Sequence, residues 1–297
     1  MVVVTAWSTH RARISWQAAS AATPLPLGRN VYHDSRNLAY PWRRAAPTLT
    51  SQLWPRHIPI LDQGNVGSCT GNEQVGALGT GNVFLALPAG HPVLDETLAV
   101  KIYSGAETID GDGPYPPNDN GSSGPSAAQV AKNLGLISGY QHCFSLADVL
   151  DALETGPVGI GSNWYDSMDS PDSSGHVAIS PGAQIRGGHE YLCRGKDIDK
   201  QVVWLDNSWG AGWGSSGSFS YSYATLERLL GEQGDATVSL PLTVPVPVPV
   251  PVPPVPVANV ADVAFAAVLH PWVQLHHVGG NAKVAKAAQQ WLAIKGL

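Results

Sequence analysis

The sequence contains few of the residues that form disulfides or bind structural metals. Its 297 residues include only three cysteines, Cys69, Cys143 and Cys193, which is too few, and odd in number, for a disulfide framework. This usage is typical of a reducing compartment. We expect Cys143 and Cys193 to be buried free thiols, with a bridge between them as the alternative. No pair of Cys or His residues has the spacing of a structural zinc site, so we expect neither a metal nor another cofactor.

An excess of basic residues and long apolar runs are also absent. Lys and Arg number 17 against 23 Asp and Glu, and this net charge of -6 argues against nucleic acid as a partner. No stretch of 18 or more apolar residues occurs, so no membrane span is expected. At the N-terminus a short apolar stretch precedes a basic one, which is the reverse of a secretory signal. We therefore expect synthesis in the cytoplasm without a classical export signal.

Three distant segments supply a thiol, an imidazole and an amide. Cys69 ends a Gly-Ser-Cys sequence, His189 follows two glycines, and Asn207 begins an Asn-Ser-Trp-Gly sequence. A thiol attacks carbonyl groups as a thiolate, so it needs an adjacent base, and the base needs a third group to orient it. The glycine-rich, polar surroundings of Cys69 favour a nucleophile over a core cysteine. The alternative base, His176, lies 31 residues before Asn207, whereas His189 lies 18 residues before it.

In order and spacing, these segments resemble the papain-like cysteine peptidases. Gln63 lies six residues before Cys69, where this family has the glutamine whose side-chain amide contributes to the oxyanion hole. The resemblance implies an α+β fold with a helical half, a β-barrel-like half and a cleft between them. It also implies hydrolysis of protein or peptide substrates by a Cys69 thiolate paired with a His189 imidazolium, with Asn207 orienting the imidazole ring.

Two positions depart from the family pattern. Val66 replaces a cysteine, so the family's first disulfide cannot form, and Thr70 replaces an aromatic residue. These departures favour a bacterial or phage branch that lacks the long prodomain. If a phage encodes the protein, we expect association with the virion.

The same resemblance predicts the residues that bind substrate. Gly121 and Ser122 correspond to the family's glycine segment that pairs with the substrate backbone. Val158 and Glu190 correspond to the lining of the main specificity pocket, where an inward-facing Glu190 would favour a basic side chain. Trp209 is predicted to cover the hydrogen bond between the histidine and the asparagine and to border the substrate.

Composition divides the chain into four parts. Residues 1–28 lack periodicity and form a predicted flexible lead-in. Either this segment crosses the cleft, or the enzyme is active as synthesised. Residues 29–242 form the predicted peptidase domain. Residues 243–257 alternate proline and valine, which predicts a stiff spacer of roughly 45 Å. Residues 258–297 predict a small helical hairpin module for attachment to a partner.

Within residues 29–242 the pattern changes from helices to strands. Helices are predicted over residues 70–87, 126–134 and 146–153. Strands are predicted over residues 158–160, 190–193, 202–205 and 218–221.

Two other functions stay open at this point. The same site could hydrolyse peptidoglycan peptides or transfer an acyl group to an amine. The chain could instead be a non-catalytic scaffold that binds a partner through its linker and helical module.

Overall fold

The computed structural model describes residues 25–31, 38–43 and 48–242. The chain separates into two compact units, Met1–Thr243 and Val244–Leu297. The predicted linker and helical hairpin lie outside the described residues, as does most of the predicted lead-in. No described helix is both long enough and apolar enough to cross a bilayer.

The first half of the described unit is mainly helical. A short strand, β1 (Gln52–Leu53), precedes the helices. The helices of this half are α1 (Cys69–Leu78), α2 (Gly81–Leu85), α3 (Glu96–Asp110) and α4 (Gly124–Asn133). Asp95 caps α3 by accepting a hydrogen bond from the amide of Leu98, and Gly111 ends it in the left-handed conformation.

The predicted helix over residues 70–87 is therefore two helices, with a break after Leu78. All ten residues of α1 are buried, so packing rather than intrinsic propensity stabilises this glycine-containing helix. A Cβ at Gly71 would overlap the backbone of Ala99 in α3. The glycine that weakens the local helix prediction is thus required for the close approach of α1 and α3.

The second half is built around one antiparallel sheet. Its strands are β2 (Gly139–Cys143), β3 (Val158–Tyr165), β4 (Ile185–Asp197), β5 (Val202–Asp206), β6 (Ser218–Ser222) and β7 (Asp235–Leu240). They are ordered β2-β7-β3-β4-β5-β6, and β1 pairs with β4. Two further helices, α5 (Leu146–Ala152) and α6 (Tyr223–Gly231), accompany the sheet. The four predicted strands lie within β3, β4, β5 and β6.

Each half of the described unit has its own hydrophobic core. One includes Val75, Leu98 and Ile102 from the helices. The other includes Trp164, Tyr191 and aromatic residues of β6 and its surroundings. Strand β4 is buried over most of its length and packs against α1. The junction of α1 with β4 is where the two halves meet, and the fold is α+β as predicted.

Candidate active site

Cys69 is the first residue of α1, so its side chain lies at the positive end of the helix dipole. Its side chain is fully buried in this structure. The backbone amides of Glu190, Gly28 and Thr70 lie close enough to the sulfur to lower the pKa of the thiol. Glu190 directly follows His189, so the sulfur lies beside the histidine's segment of β4.

The imidazole of His189 contacts Asn207, predicted to orient it, and Trp209, predicted to cover the hydrogen bond between them. Its Nε2 donates a hydrogen bond of 2.8 Å to Asn207 Oδ1. The indole of Trp209 stacks on the imidazole, with ring centroids 4.7 Å apart and an interplanar angle of 17°. Because Nε2 carries the hydrogen, Nδ1 can accept a proton, and this atom is buried without a hydrogen-bond partner among the described residues. The arrangement suits a base whose ring orientation is fixed.

His176, the alternative base, lies apart from this group. Its Nδ1 is 3.1 Å from Ser220 Oγ, and its backbone bridges Ser220 of β6. The hydrogen bond to Asn207 is made by His189 alone of the two. The geometry therefore favours His189.

Gln63 is buried next to the segment that carries the asparagine. Its amide N donates to the carbonyl of Ser208 at 2.9 Å, and its Oε1 accepts from Ser208 Oγ at 2.6 Å. Its Nε2 donates to the carbonyl of Val66 at 2.9 Å, which uses one of its two hydrogens. Ser208 thus orients the side-chain amide of Gln63, whose Nε2 carries a second hydrogen.

The charge states of Cys69 and His189 in this structure differ from the thiolate and imidazolium that the resemblance implies. Burial, with a contribution from the Glu190 charge, raises the pKa of Cys69 to about 12, although the three backbone amides lower it. Burial lowers the pKa of His189 to about 3. In the closed structure both groups are therefore neutral, because neither has water around its charged form.

Residues 25–31, the cleft segment, lie across this site. The amide of Arg29 donates to Gly188 at 3.0 Å, and the amide of Asn30 donates to Ser122 at 2.8 Å. The amide of Ser122 in turn donates to Gly28 at 2.8 Å. These bonds form a parallel bridge between Arg29 and Ser122. The lead-in was predicted either to cross the cleft or to leave the enzyme active as synthesised. Its described residues, 25–28, belong to the segment that crosses the cleft.

Side chains from the sheet half hold the beginning of the cleft segment. Trp209 Nε1 donates to the carbonyl of Pro26 at 3.0 Å, and Arg186 Nη2 donates to the carbonyl of Leu25 at 2.6 Å. Gly28 packs so closely on Gly67 that a Cβ would overlap its backbone. The segment runs across the boundary predicted between residues 28 and 29.

Of the predicted substrate-binding residues, Gly121, Ser122, Glu190 and Trp209 lie beside the cleft segment or the imidazole. Ser122 pairs with the cleft segment through its backbone, and a Cβ on Gly121 would overlap the carbonyl of Gly28. Glu190 is buried and faces inward, with Oε2 3.7 Å from Arg29 Nε. Trp209 contacts both the imidazole and the cleft segment.

Val158 is placed differently from its prediction. It pairs with Cys193 and belongs to the core of the sheet half. The strand partner of Glu190 is Gly161, three residues further along β3. The pocket beside Glu190 is therefore lined by Gly161, because the β3–β4 register places Val158 too far along the strand.

The sequence reasoning did not find Asp235, Arg29 or Ser208. Asp235 accepts an ion-pair hydrogen bond of 2.9 Å from Arg29 Nη2, and it reaches Glu190 only because β7 pairs with β3. No local motif marks it. Ser208 lies inside the Asn-Ser-Trp-Gly sequence, directly after Asn207. Its contact with Gln63 could therefore have been predicted from that sequence.

The remaining thiols are buried and free, like Cys69. Burial raises the pKa of Cys143, and it raises that of Cys193 to about 12. Among the described residues no group of three or more His, Cys, Asp or Glu side chains is arranged to hold a metal ion.

The fold is that of the papain-like cysteine proteases. The chain resembles xylellain, a cysteine protease from Xylella fastidiosa, with a TM-score of 0.52 and 17% identity over 80% of this chain and 100% of that one. It resembles digestive procathepsin L 3 of Tenebrio molitor larval midgut at 0.51 and 16%, over 76% and 83% of the two chains. For procathepsin L2 of the same source the values are 0.52 and 18%, over 76% and 84%. The sequence matches no protein-family model and no curated protein.

Proposed function

We propose that the protein is a cysteine peptidase that hydrolyses peptide bonds with Cys69 as nucleophile. The observation that carries the proposal is the hydrogen bond of 2.8 Å between His189 Nε2 and Asn207 Oδ1 under the stacked indole of Trp209, next to the buried N-terminal residue of α1. A structural histidine needs no such fixed tautomer with a free Nδ1. A general base does.

The chemistry follows from these positions. His189 Nδ1 takes the proton of Cys69, and the thiolate attacks the substrate carbonyl. The backbone amide of Cys69 and the free N–H of Gln63 receive the oxyanion, and His189 then protonates the leaving amine. Water hydrolyses the acyl-enzyme.

The active form requires the cleft segment to leave. While residues 25–31 lie across the site, Cys69 has no solvent exposure and both catalytic groups are neutral. Opening admits water and substrate, which permits the thiolate and imidazolium to form. We therefore propose that the structure represents a closed form of the enzyme.

The departures at Val66 and Thr70 support a bacterial or phage origin. Peptidoglycan peptides or acyl transfer would use the same groups and differ only in the substrate. Residues 258–297 remain a proposed attachment module for a partner.

The test is alkylation of each cysteine from pH 4 to 9, read by peptide mass spectrometry, together with cleavage of casein and of cell-wall peptides. We expect Cys69 in an opened variant to react at pH 5 in a manner that depends on His189, and Cys69→Ala to abolish hydrolysis. A Cys69 that titrates near the ordinary thiol value of about 8.5 after opening would instead support the scaffold function.

A further inference from the structure

The segment that pairs with the cleft segment is itself held by one face of α3. This pairing segment, residues 118–123, forms no helix or strand apart from the bridge at Ser122. Three of its backbone amides donate to side chains of α3: Asn120 to Glu107 Oε1 at 2.7 Å, Gly121 to Tyr103 Oη at 3.0 Å and Ser123 to Asp110 Oδ2 at 2.8 Å. The three acceptors are four and three residues apart, so they lie on the same face of the helix. Helix α3 therefore fixes the backbone on both sides of Ser122.

The hydroxyl of Tyr103 also reaches the loop before Cys69. It donates to Asp119 Oδ1 at 2.6 Å and lies 3.0 Å from Glu107 Oε1. Asp119 Oδ1 in turn accepts from the amide of Gly67 at 3.0 Å. Burial and the hydrogen bond to Asp119 raise the pKa of Tyr103. The hydroxyl therefore keeps its hydrogen and remains a donor to Asp119.

This series of hydrogen bonds continues to the proposed oxyanion donor. The amide of Gly67 and the carbonyl of Val66 belong to one planar peptide unit, so fixing one of them fixes the other. The Val66 carbonyl accepts from Gln63 Nε2 at 2.9 Å. Tyr103 therefore lies between two groups that a peptide in the cleft would use, the pairing segment on one side and the side-chain amide of Gln63 on the other.

The pairing segment presents the same backbone groups to a substrate as to the cleft segment. The amide of Ser122 donates to the carbonyl of Gly28, and its carbonyl accepts from the amide of Asn30, both at 2.8 Å. A peptide that replaces residues 25–31 can pair with these two groups. Its attacked carbonyl then meets the oxyanion donors only if the pairing segment and Gln63 are correctly spaced, and a misplacement of about 1 Å can cost a factor of about a hundred in rate.

We propose that Tyr103 is a positioning residue, which holds the backbone that binds a peptide in the cleft at a fixed distance from the oxyanion donor Gln63. The assignment rests on the proposed peptidase function and adds a residue to its site. Tyr103 acts through Asp119 and the backbone, and not by contact with the reacting atoms. Loss of its hydroxyl removes the acceptor of the Gly121 amide and the donor to Asp119 at once. Such a loss should change both KM and kcat, whereas loss of the Asp119 carboxylate should change kcat alone.

The first experiment measures peptide hydrolysis by full-length protein in which Arg29→Ala has removed the hydrogen bonds that hold Arg29 in the closed form. Tyr103→Phe and Asp119→Ala are introduced into this background, singly and together. We expect Tyr103→Phe to lower kcat and to raise KM, each about tenfold. We expect Asp119→Ala to lower kcat about tenfold with little change in KM. The loss of kcat is smaller than the roughly 10²- to 10³-fold expected when an oxyanion donor is removed, because Gln63 is displaced but still present.

The double variant tests whether the two residues act through one series of hydrogen bonds. Adding Tyr103→Phe to Asp119→Ala should lower kcat no further, because the series is already broken. Tyr223→Phe is the matched control, since the Tyr223 hydroxyl is buried without a hydrogen-bond partner among the described residues. A hydroxyl with a merely structural role would lower the unfolding temperature and leave KM and kcat of the folded enzyme unchanged. Additive losses of kcat, or kinetic constants of Tyr103→Phe equal to those of Tyr223→Phe, would overturn the proposal.

Alkylation of Cys69 separates this proposal from the proposed function. Because the cleft segment pairs with Ser122, a displaced pairing segment weakens the closed form. Tyr103→Phe in otherwise unchanged protein should therefore accelerate alkylation of Cys69 by iodoacetamide about tenfold, with no change at Cys143 and Cys193. This result supports the positioning role even if no peptide is hydrolysed, in which case the peptidase function alone fails. A rate for Cys69 equal to that of wild type, or equal acceleration of all three cysteines, overturns the positioning role.

Discussion

Replacement of Arg29 by alanine should open the site. The substitution removes the two charge-assisted hydrogen bonds from Nη2 to Asp235 and Gln233, each worth about 1.5 to 3 kcal/mol. Part of this is recovered, because the released carboxyl groups can protonate or become hydrated. A net loss of about 3 kcal/mol would change the ratio of closed to open protein roughly a hundredfold. The backbone bonds of the cleft segment remain, so the effect is on this ratio and not on the fold.

Alkylation of Cys69 by iodoacetamide measures that ratio. Cys69 is inaccessible in the closed form, so its rate is proportional to the open fraction while the closed form predominates. We expect an increase of roughly a hundredfold for Arg29→Ala and a smaller one for Arg29→Lys. The exposed Arg43 gives the matched control, Arg43→Ala.

Cys143 and Cys193 provide an internal check in the same experiment. Both are buried in the sheet half, and they become reactive only if that half unfolds. A rate for Cys69 in Arg29→Ala within a factor of about two of wild type would refute the reasoning, since the hydrogen bonds above would then contribute almost nothing. Equal acceleration of all three cysteines would also refute it, because the cause would be unfolding.

Three further predictions concern the same site. Gly161→Ala should accelerate Cys69 alkylation without changing any charge, because its Cβ would overlap Arg29, whereas Gly212→Ala meets no atom and should have no effect. In an opened background Gln63→Ala should lower kcat roughly 10²- to 10³-fold while Cys69 alkylation is retained, as expected for loss of an oxyanion donor. A parallel loss of alkylation would argue against that role. Glu73→Gln should stabilise the protein at pH 9 but hardly at pH 4. The pKa of Glu73 is raised from 4.5 to about 8 in the native state, so its contribution to stability is complete below the lower value and lost as pH rises through the upper one. Urea unfolding at both pH values measures the difference, and equal effects would contradict the assignment.

The proposed catalytic residues could be identified from the sequence because they lie within short sequences with a chemical signature. Cys69, His189 and Asn207 each follow or begin such a sequence, and the structure brings His189 and Asn207 together as expected. The pocket could not be predicted in the same way. Asp235 reaches it through the pairing of β7 with β3, and long-range strand pairing leaves no local pattern in sequence.

Helix prediction was incomplete. The longest described helix, α3, was not predicted, although Asp95 and Gly111 are ordinary start and stop signals. The helix over α1 was predicted although its glycines weaken the local preference, and Gly71 allows the close approach to Ala99. Strand prediction found β3, β4, β5 and β6 but missed β1, β2 and β7. Strand β4 is 13 residues long, and only four of them were predicted.

The cleft segment has a consequence for how the protein responds to concentration. Because residues 25–31 belong to the same chain as Ser122 and Asp235, their binding is intramolecular, with an effective concentration on the order of millimolar for a short connection. Dilution therefore cannot release the segment, and a substrate must compete with a ligand that is always present. The closed form is released only by changes in the chain itself, such as cleavage within the lead-in or replacement of Arg29. Each molecule of the proposed enzyme would therefore be activated independently of the others.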